Sequence, residues 1–456
     1  MAAIDSARQF VPQVDIDGAL TEDSQMYIDR INLKGIRGFA DLDFKLARLD
    51  GSYAGWTVFT GDNGSGKSTL LKAIAVGLVG KDTARALQPS FHRWIRDGAK
   101  DARIHLDVVR AVGDDSLADS GRPPAGTFPA EIELQNGGRE VALQVVLPAG
   151  CPVGYRTPER TIWATSENGW FSCGYGPFRR VFGASSEAMQ QMVSPLTARF
   201  ATMFQDAASL EEAGRWLRDL NYKKLENKRP EIAQLAVLLE ILKDELMPNQ
   251  ITVDRIDSDG LWLKDRKGVQ LTWGEMSDGY RAALALLTDI LRHLISAYGV
   301  DELTSKDEGG RLVVNRSGVV LIDEIDAHLH PEWQRKIGFW LTQHFPKMQF
   351  LVTTHSPIIC QAADPNGLFV LAEPGSDDPP RALIQAEYEK VIASRPDTIL
   401  LTPAFGLQNT RSPRAVEGRA TLARLAAKRR AGVPLSSLEQ KSELQLQLFA
   451  TDGEDL

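Results

Sequence analysis

Apolar and polar positions alternate over much of the first third of the chain, as is typical of half-buried β-strands. This pattern predicts strands at residues 27–33, 40–46 and 102–112, and a hairpin of residues 130–134 and 140–147 around the turn pair Asn136-Gly137. Continuous apolar runs, which indicate buried parallel strands, occupy residues 56–60, 318–323 and 350–354. Shorter strands are predicted at residues 161–165, 170–175, 251–253 and 261–263. Residues 114–126 are rich in Gly, Pro, Ser and Asp and are predicted to be a linker.

Helical periodicity dominates after about residue 180. Ser209 with Glu212 forms the pattern of a capping box, which predicts a helix to residue 220. Pro230 suits a first helical position and precedes an apolar face of Ile232, Leu235, Leu239, Leu242 and Leu246. A further helix is predicted at residues 279–295.

A complete phosphate-binding loop, Gly61-Asp62-Asn63-Gly64-Ser65-Gly66-Lys67-Ser68-Thr69, lies between the apolar strand 56–60 and a helical run. This strand–loop–helix context directs backbone amides and a helix N-terminus at a polyphosphate. Lys67 is expected to reach the β and γ oxygens, and the Ser68 hydroxyl to bind Mg²⁺. The loop residues expected to contact nucleotide are Gly61, Asn63, Gly64, Ser65, Gly66, Lys67, Ser68 and Thr69.

Composition narrows the class of protein. The formal charge of −8 over 456 residues gives no global basic field, although residues 411–430 carry seven basic residues against one acid. Cys151, Cys173 and Cys360 are far apart, so neither a disulfide framework nor a zinc site is indicated, and buried thiols are expected. No apolar run reaches the roughly 18 residues of a membrane span, and the N-terminus lacks signal-peptide features. We therefore expect a cytoplasmic protein with no membrane partner.

Two acids end the apolar run 318–322. Asp323 is placed to hold Mg²⁺, and the adjacent Glu324 to orient or deprotonate a water molecule. Ser277 precedes a helix and makes a second anion-binding end, within Met276-Ser277-Asp278-Gly279-Tyr280. Thr353-Thr354-His355-Ser356 closes a strand about 30 residues after the acids and places His355 where a γ-phosphate would lie.

This ordered set, together with Asp326, resembles the ATP-binding cassette ATPases, in the branch that includes RecF, SMC and the overcoming-lysogenisation-defect family. More closely it is similar to bacterial proteins of that branch with AAA-type domains, including ATPase subunits of the Septu and retron anti-phage systems. The resemblance covers most of residues 27–410, and Tyr175-Gly176-Pro177-Phe178-Arg179 is similar to a recurring element of the group. It implies an α/β fold: a P-loop ATPase head with a mixed sheet, an antiparallel β subdomain and an inserted helical lobe.

The resemblance also implies a domain plan. Residues 1–25 are expected to be a loose tail and residues 26–410 the head. Within the head, a β-hairpin insert is expected at about 113–178 and a helical lobe at about 180–250. Residues 411–456 are expected to form a tail that is first basic and then acidic.

By the same resemblance, two heads bind head-to-tail around two molecules of ATP, with Mg²⁺. Each phosphate loop then faces Ser277 and Gly279 of the other copy. Glu324 is implied as general base, His355 as γ-phosphate sensor, and Lys67 as the catalytic cation. Asp326 is implied as an interface residue that contacts the nucleotide site, and Arg37 as an arginine near the nucleotide. Two departures stand out: the signature is Met-Ser-Asp-Gly-Tyr, and residues 94–98, in the likely region of the glutamine loop, contain no Gln.

The leading hypothesis is an ATP hydrolase whose dimerisation around ATP gates a nucleic acid or an effector protein such as a nuclease, in anti-phage defence or DNA maintenance. The alternative is a nucleotide-gated scaffold with little turnover that holds a nuclease or toxin. A transporter subunit is disfavoured because Lys67 and Ser277 are about 210 residues apart. An SMC protein is disfavoured by the lack of sustained heptads, and a stand-alone nuclease by the lack of an acidic metal cluster.

Overall fold

The computed structural model describes residues 25–48, 51–116, 127–138, 140–147, 157–164, 169–179, 194–206, 208–244, 247, 250–376 and 378–446. The chain divides into two compact units, Met1–Ser394 and Arg395–Leu456. Cys151 and the predicted N-terminal tail up to residue 24 lie outside the described residues. The domain boundaries predicted at residues 25 and 410 stay a prediction.

Along the described part of the chain, groups of one to four strands are separated by helices. The strands are β1 (Tyr27–Ile36), β2 (Phe39–Lys45), β3 (Trp56–Thr60), β4 (Asp101–Val109), β5 (Phe128–Asn136), β6 (Val141–Val145), β7 (Ser172–Tyr175), β8 (Thr252–Asp257), β9 (Gly260–Lys264), β10 (Gln270–Thr272), β11 (Thr304–Lys306), β12 (Leu312–Val314), β13 (Gly318–Ile322), β14 (Met348–Thr353), β15 (Leu368–Val370) and β16 (Arg381–Ala382). The helices are α1 (Lys67–Leu87), α2 (Pro195–Phe204), α3 (Glu211–Leu225), α4 (Arg229–Lys243), α5 (Asp278–Tyr298), α6 (Pro331–His344), α7 (Pro357–Cys360), α8 (Gln385–Ala393), α9 (Pro396–Leu400), α10 (Pro413–Arg430) and α11 (Ser437–Leu446).

A six-stranded sheet in the order β16-β15-β3-β14-β13-β7 forms the centre of the first unit. All its strand pairs are parallel except β15 with β16. Every residue of β3, β13 and β14 is buried, which agrees with the continuous apolar runs that predicted these strands. The sheet is therefore covered on both faces, and chemistry is confined to its edges and strand ends.

A second sheet, antiparallel and in the order β2-β1-β4-β5-β6, contributes to the same core. Its buried side chains alternate with polar ones, and α1 packs against both this sheet and the parallel one. Fully buried residues such as Ile31, Ile104 and Ile132 each stabilise the fold by about 1.5–3 kcal/mol relative to exposure. The mixed α/β fold predicted from the sequence is thus confirmed, including its antiparallel β subdomain.

A helical lobe is formed by α3 and α4, which pack on each other, on α5 and on β8. Pro230 occupies the first turn of α4, as predicted, and Leu235, Leu238, Ile241 and Leu242 are the buried residues of that helix. Ile232 is exposed, so the buried face of α4 is shorter than the apolar pattern indicates. The lobe lies between β7 and α5 in the chain, as an insertion in the head would.

The strand predicted at residues 161–165 is wrong over its described part. A short 3-10 helix, Pro158–Arg160, is followed by a turn, and Trp163 lies against α1 instead of joining a sheet. The Trp163 indole donates to the carbonyl of Gly77, and its ring occupies the space beside Gly80, where α1 adopts φ +77°. The apolar side chain of Trp163 therefore packs against a kink in α1 and does not belong to a strand.

The capping box predicted at Ser209 is also not formed. The helix α3 begins at Glu211, with Leu210 at the N-cap position and no side-chain cap. The Ser209 hydroxyl accepts from the backbone amide of Glu211 at 3.3 Å, and the helix extends to Leu225. Ser209 thus lies one residue before the N-cap position, where its hydroxyl contacts the first amide of the helix.

Candidate nucleotide-binding site

Three adjacent parallel strands bring the predicted residues to one edge of the sheet. Val58 of β3, Val352 of β14 and Ile322 of β13 lie side by side in register. The phosphate loop follows β3, Thr354 and His355 follow β14, and Asp323 and Glu324 follow β13. Because the carboxyl ends of parallel strands share an edge, these segments, separated by up to about 300 residues of chain, form one site.

The phosphate loop has the backbone shape that its glycines permit. Gly61, Gly64 and Gly66 have φ values of +148°, +82° and +97°, which residues with a Cβ rarely adopt. A Cβ on Gly66 would lie 2.6 Å from the ring of Phe39. Asn63 and Gly64 face solvent, whereas Ser65 and Lys67 are buried. The loop is therefore open to a ligand on one side and packed on the other.

Lys67 begins α1 and folds back over the loop. Its ammonium group donates to the carbonyls of Gly61 at 2.8 Å and Asp62 at 2.9 Å. Burial lowers the pKa of Lys67, and the nearby carboxylates of Glu324 and Asp323 oppose that shift. The amine is thus held at the acidic strand ends, and its partners are loop carbonyls that a phosphate oxygen could replace.

The residues present fit Mg²⁺-ATP. The hydroxyl of Ser65 is buried and has no hydrogen-bond partner among the described residues. Ser68 and Thr69 begin α1, whose N-terminal amides and dipole favour an anion. Asp323 is a buried carboxylate at the end of β13, of the type that binds Mg²⁺, and Ser68 offers a hydroxyl in the first turn of α1. Among the described residues, His, Cys, Asp and Glu side chains form no group of three arranged to hold a metal by themselves.

Thr353 joins the two acids. Its hydroxyl donates to Asp323 Oδ1 at 2.5 Å and accepts from the backbone amide of Glu324 at 2.7 Å. Glu324 has a left-handed backbone, φ +46°, which costs about 1–3 kcal/mol for a residue with a Cβ. The half-buried Glu324 side chain is therefore placed by backbone contacts that hold an unfavourable conformation.

Asp326 and Thr354 connect the same loop to His355. The Thr354 hydroxyl donates to Asp326 Oδ1 at 2.5 Å, and the His355 amide lies 3.4 Å from the same oxygen. His355 is half-buried at the end of β14. The structure thus shows Asp326 fixing the histidine-bearing turn of its own chain, and its predicted interface role stays a prediction.

The Ser277 segment adjoins the loop that follows Glu324. Gly279 lies so close to the carbonyl of His328 that a Cβ would be 2.2 Å from that oxygen. Ser277 is exposed, and within the described part of the chain its hydroxyl caps no amide of α5. Glycine is required at 279 by this close approach, and Ser277 is presented to solvent.

Arg37 is placed beside the start of α1. Its guanidinium lies 3.4 Å from the Thr69 hydroxyl and 4.9 Å above the centre of the Trp94 ring. Its backbone is left-handed, with φ +43°, and its amide donates to the Trp94 carbonyl. Burial lowers the pKa of Arg37. Residues 94–98, without a glutamine, therefore support this arginine, and no residue replacing the glutamine loop is assigned.

Two supporting features were missed from the sequence. The role of the Thr353 hydroxyl has no local signal, although the Thr-Thr-His-Ser motif drew attention to it. Arg179 is buried against the acidic loop, and burial lowers its pKa to about 10. His330, one of two histidines in Asp326–Pro331, accepts from the Glu332 amide as the N-cap of α6.

The chain is similar to several known proteins. A family model described as "AAA domain, putative AbiEii toxin, Type IV TA system" matches residues 159–361, and a second, "AAA domain", matches residues 30–140. The Septu protein PtuA of Bacillus mycoides (strain KBAB4) is 26% identical over 393 residues, 85% of this chain and 46% of that protein. The retron Ec83 probable ATPase of Escherichia coli is 38% identical over 109 residues, 24% of this chain and 18% of that protein.

The chain spans less than half of the length of these two relatives. Among solved structures, an SMC head bound to the C-winged helix domain of ScpA aligns with a TM-score of 0.48 and 17% identity, over 79% of this chain and 99% of that one. None of the helices in the described ranges has both the length and the apolar character needed to cross a bilayer. Two AAA-domain models thus match parts of the chain, and the chain is similar to the Septu PtuA and retron ATPases, as its motifs predicted.

Proposed function

We propose that this chain binds and hydrolyses ATP with Mg²⁺, dimerises around the nucleotide, and uses the cycle to gate an effector protein or a nucleic acid in anti-phage defence. The observation that carries the proposal is the meeting of the phosphate loop, Asp323-Glu324 and His355 at one edge of the sheet. The similarity to Septu and retron ATPases supports the cellular setting.

Each residue would contribute a defined step. The phosphate-loop amides and Lys67 would hold the β and γ phosphates, and Ser68 and Asp323 would hold Mg²⁺, which supplies positive charge to the phosphates. Glu324 would accept a proton from the water that attacks the γ-phosphorus, and His355 would donate a hydrogen bond to a γ oxygen. Catalysis by such a site is mainly positioning and charge stabilisation, which suits acids and a lysine fixed by backbone contacts.

Dimerisation is supported by the exposure of Ser277. Its hydroxyl and the N-terminus of α5 face solvent, and would complete the phosphate site of a second copy. ATP bound between two copies would favour the dimer over the separate chains, and hydrolysis would remove that preference. We also infer a reducing cytoplasmic setting, with which the free, buried thiols of Cys173 and Cys360 are consistent.

Nucleic acid is the alternative partner, and the basic helix α10 is its candidate contact. Lys428 and Arg429 of α10 pair with Glu439 and Glu443 of α11. Arg424 is exposed on the same helix. Loss of nucleic-acid binding on removal of residues 411–456 would support this role, and unchanged nucleic-acid binding would reject it.

Nucleotide calorimetry and phosphate release test the proposed activity. Lys67→Ala should abolish ATP binding, because it removes the buried cation of the phosphate loop, whereas Glu324→Gln should bind ATP but hydrolyse it at least about 100-fold more slowly. Lys81→Ala, farther along α1, is the matched control and should leave both unchanged. ATP affinity retained in Lys67→Ala would overturn the assignment of the loop.

A further inference from the structure

The segment Tyr175–Arg179 links the end of β7 to the acidic loop. The backbone carbonyl of Tyr175 accepts from the amide of Asp323 at 2.8 Å. The Tyr175 hydroxyl donates to Asp289 Oδ2 of α5 at 3.1 Å, and Asp289 is in turn paired with Arg292. Tyr175 and Asp289 are both buried, so this segment is anchored before it reaches the loop.

Arg179 turns its guanidinium back onto that loop. Nη1 lies 3.1 Å from the carbonyl of Gly176 and 2.7 Å from that of Asp323. Nη2 lies 2.8 Å from the carbonyl of Glu324, 3.4 Å from that of Ile325 and 3.3 Å from that of Ala327. Arg179 is only 5% exposed, and its five described hydrogen bonds all go to backbone carbonyls.

These carbonyls belong to a stretch of backbone that is intrinsically unfavourable. Glu324, with φ +46°, lies within the stretch that Arg179 contacts, and His328, with φ +67°, directly follows it. Thr353 holds the same loop from the side of β14, through Asp323 Oδ1 and the Glu324 amide. Arg179 contacts the carbonyls of this loop from the side of β7. The loop is thus held from two directions, by a hydroxyl and a guanidinium.

We propose that Arg179 is the positioning residue of the candidate hydrolytic loop, and that it aims Glu324 by holding the carbonyls of residues 323–327. This inference deepens the proposed function and rests on it for the kinetic role. Arg179 acts through Glu324 and contacts no nucleotide in this scheme. Its role differs from that of an arginine directed at phosphate, because the described contacts of its guanidinium are all carbonyl oxygens.

The chemistry of arginine explains the choice of residue. A planar guanidinium offers five N–H donors in a fixed fork, whereas a lysine ammonium offers three donors around one atom. The contacts of Arg179 spread over two nitrogen atoms and five carbonyls, so a lysine would leave some of those buried oxygens without a donor. The carboxylates of Asp323, Asp326 and Glu324 lie near enough to favour the charged form of Arg179.

Hydrogen exchange of the nucleotide-free protein tests the positioning independently of hydrolysis. In Arg179→Lys, amides of residues 323–330 should exchange at least about tenfold faster than in wild type, with the rest of the sheet unchanged. Arg85→Lys is the matched control, because Arg85 also donates to a backbone carbonyl, that of Val141, away from the loop. Unchanged exchange at residues 323–330 would overturn the proposal whether or not the chain hydrolyses ATP.

Steady-state kinetics then separates positioning from a general structural role. Arg179→Lys should lower kcat at least about tenfold, with KM and ATP affinity within about threefold of wild type. In a Glu324→Gln background, the same substitution should cause no further loss, because Arg179 acts through Glu324. Wild-type kcat in Arg179→Lys, or an equal further loss in the Glu324→Gln background, would contradict the proposal. If wild type itself does not hydrolyse ATP, the proposed function fails, and the exchange result still decides whether Arg179 holds the loop.

Discussion

Thr353 shows how a single hydroxyl serves two candidate catalytic groups. It donates to the carboxylate of Asp323 and accepts from the backbone amide of Glu324. The residue is completely buried, so neither contact can be replaced by bulk water. Removal of this hydroxyl should disturb the proposed metal ligand, Asp323, and the proposed general base, Glu324, together.

Thr353→Val tests this link at nearly constant volume. We expect a loss of about 1–3 kcal/mol in the free energy of unfolding, from the unpaired Glu324 amide, and a fall of at least about tenfold in kcat with little change in ATP affinity. Denaturant unfolding and phosphate release measure the two effects.

Thr57→Val is the matched control. Thr57 is equally buried in β3, but its hydroxyl has no partner among the described residues. Its replacement should leave activity unchanged and stability unchanged or higher. Equal effects of the two substitutions would show that the Thr353 contacts have no special role.

Residues of the site differed in how far the sequence could predict them. The phosphate loop is a local motif, because its glycines, Lys67 and Ser68 act within one turn of chain. The contact of Gly279 with the His328 carbonyl and that of Arg179 with the acidic loop depend on segments far apart in the chain. Nothing in the sequence around Arg179 specifies that its partners are carbonyls.

The antiparallel sheet carries a charged, solvent-facing surface opposite its apolar face. His105 of β4 lies between Asp107 and Glu131, at 3.3 Å and 2.8 Å, and Arg103 contacts Glu131 as well. The pKa of His105 is raised mainly by its hydrogen bond to Asp107 and, to a smaller extent, by its hydrogen bond to Glu131. This element is therefore expected to respond to pH although it lies outside the candidate site.

The sign of that response follows from the raised pKa. A histidine with a higher pKa in the folded state stabilises the fold fully below its unfolded pKa of about 6.5, and this contribution is lost as pH rises through the folded pKa. Between about pH 6 and about pH 8.5, wild type should lose up to about 1 kcal/mol more unfolding free energy than His105→Gln. Urea unfolding at the two pH values measures the difference, and the exposed His92→Gln variant should behave as wild type. Identical pH dependence in wild type and His105→Gln would refute this assignment.

Elements with a continuous or strictly alternating apolar pattern were predicted well. Strand β13 was expected at residues 318–323 and occupies Gly318–Ile322, and α5 was expected at 279–295 and occupies Asp278–Tyr298. The failure at residues 161–165 arose because Trp163 is buried against a kink in α1, a tertiary contact with the same apolar signature as a strand. An apolar pattern indicates which residues are buried, but not which element they pack against.

At the scale of the whole molecule, the proposed function makes the first unit one half of a composite site. Its phosphate loop opens to solvent at Asn63 and Gly64, and its Ser277 is exposed at the N-terminus of α5. A single chain thus exposes its phosphate loop and, at Ser277, the N-terminus of a second helix that could bind an anion. In a symmetric dimer, the phosphate loop of each copy would face Ser277 of the other copy, so that two equivalent sites would form. The motifs predicted this arrangement from the sequence, but the geometry of a pair depends on a second chain.

The molar mass of Glu324→Gln with Mg²⁺-ATP, measured by light scattering during size-exclusion chromatography, tests this account most directly. We predict a change from the monomer mass of 50.2 kDa without nucleotide to about twice that value with ATP. A second substitution, Ser277→Arg, should restore the monomer mass while ATP still binds. A Glu324→Gln protein that binds ATP and remains at the monomer mass would contradict the composite site.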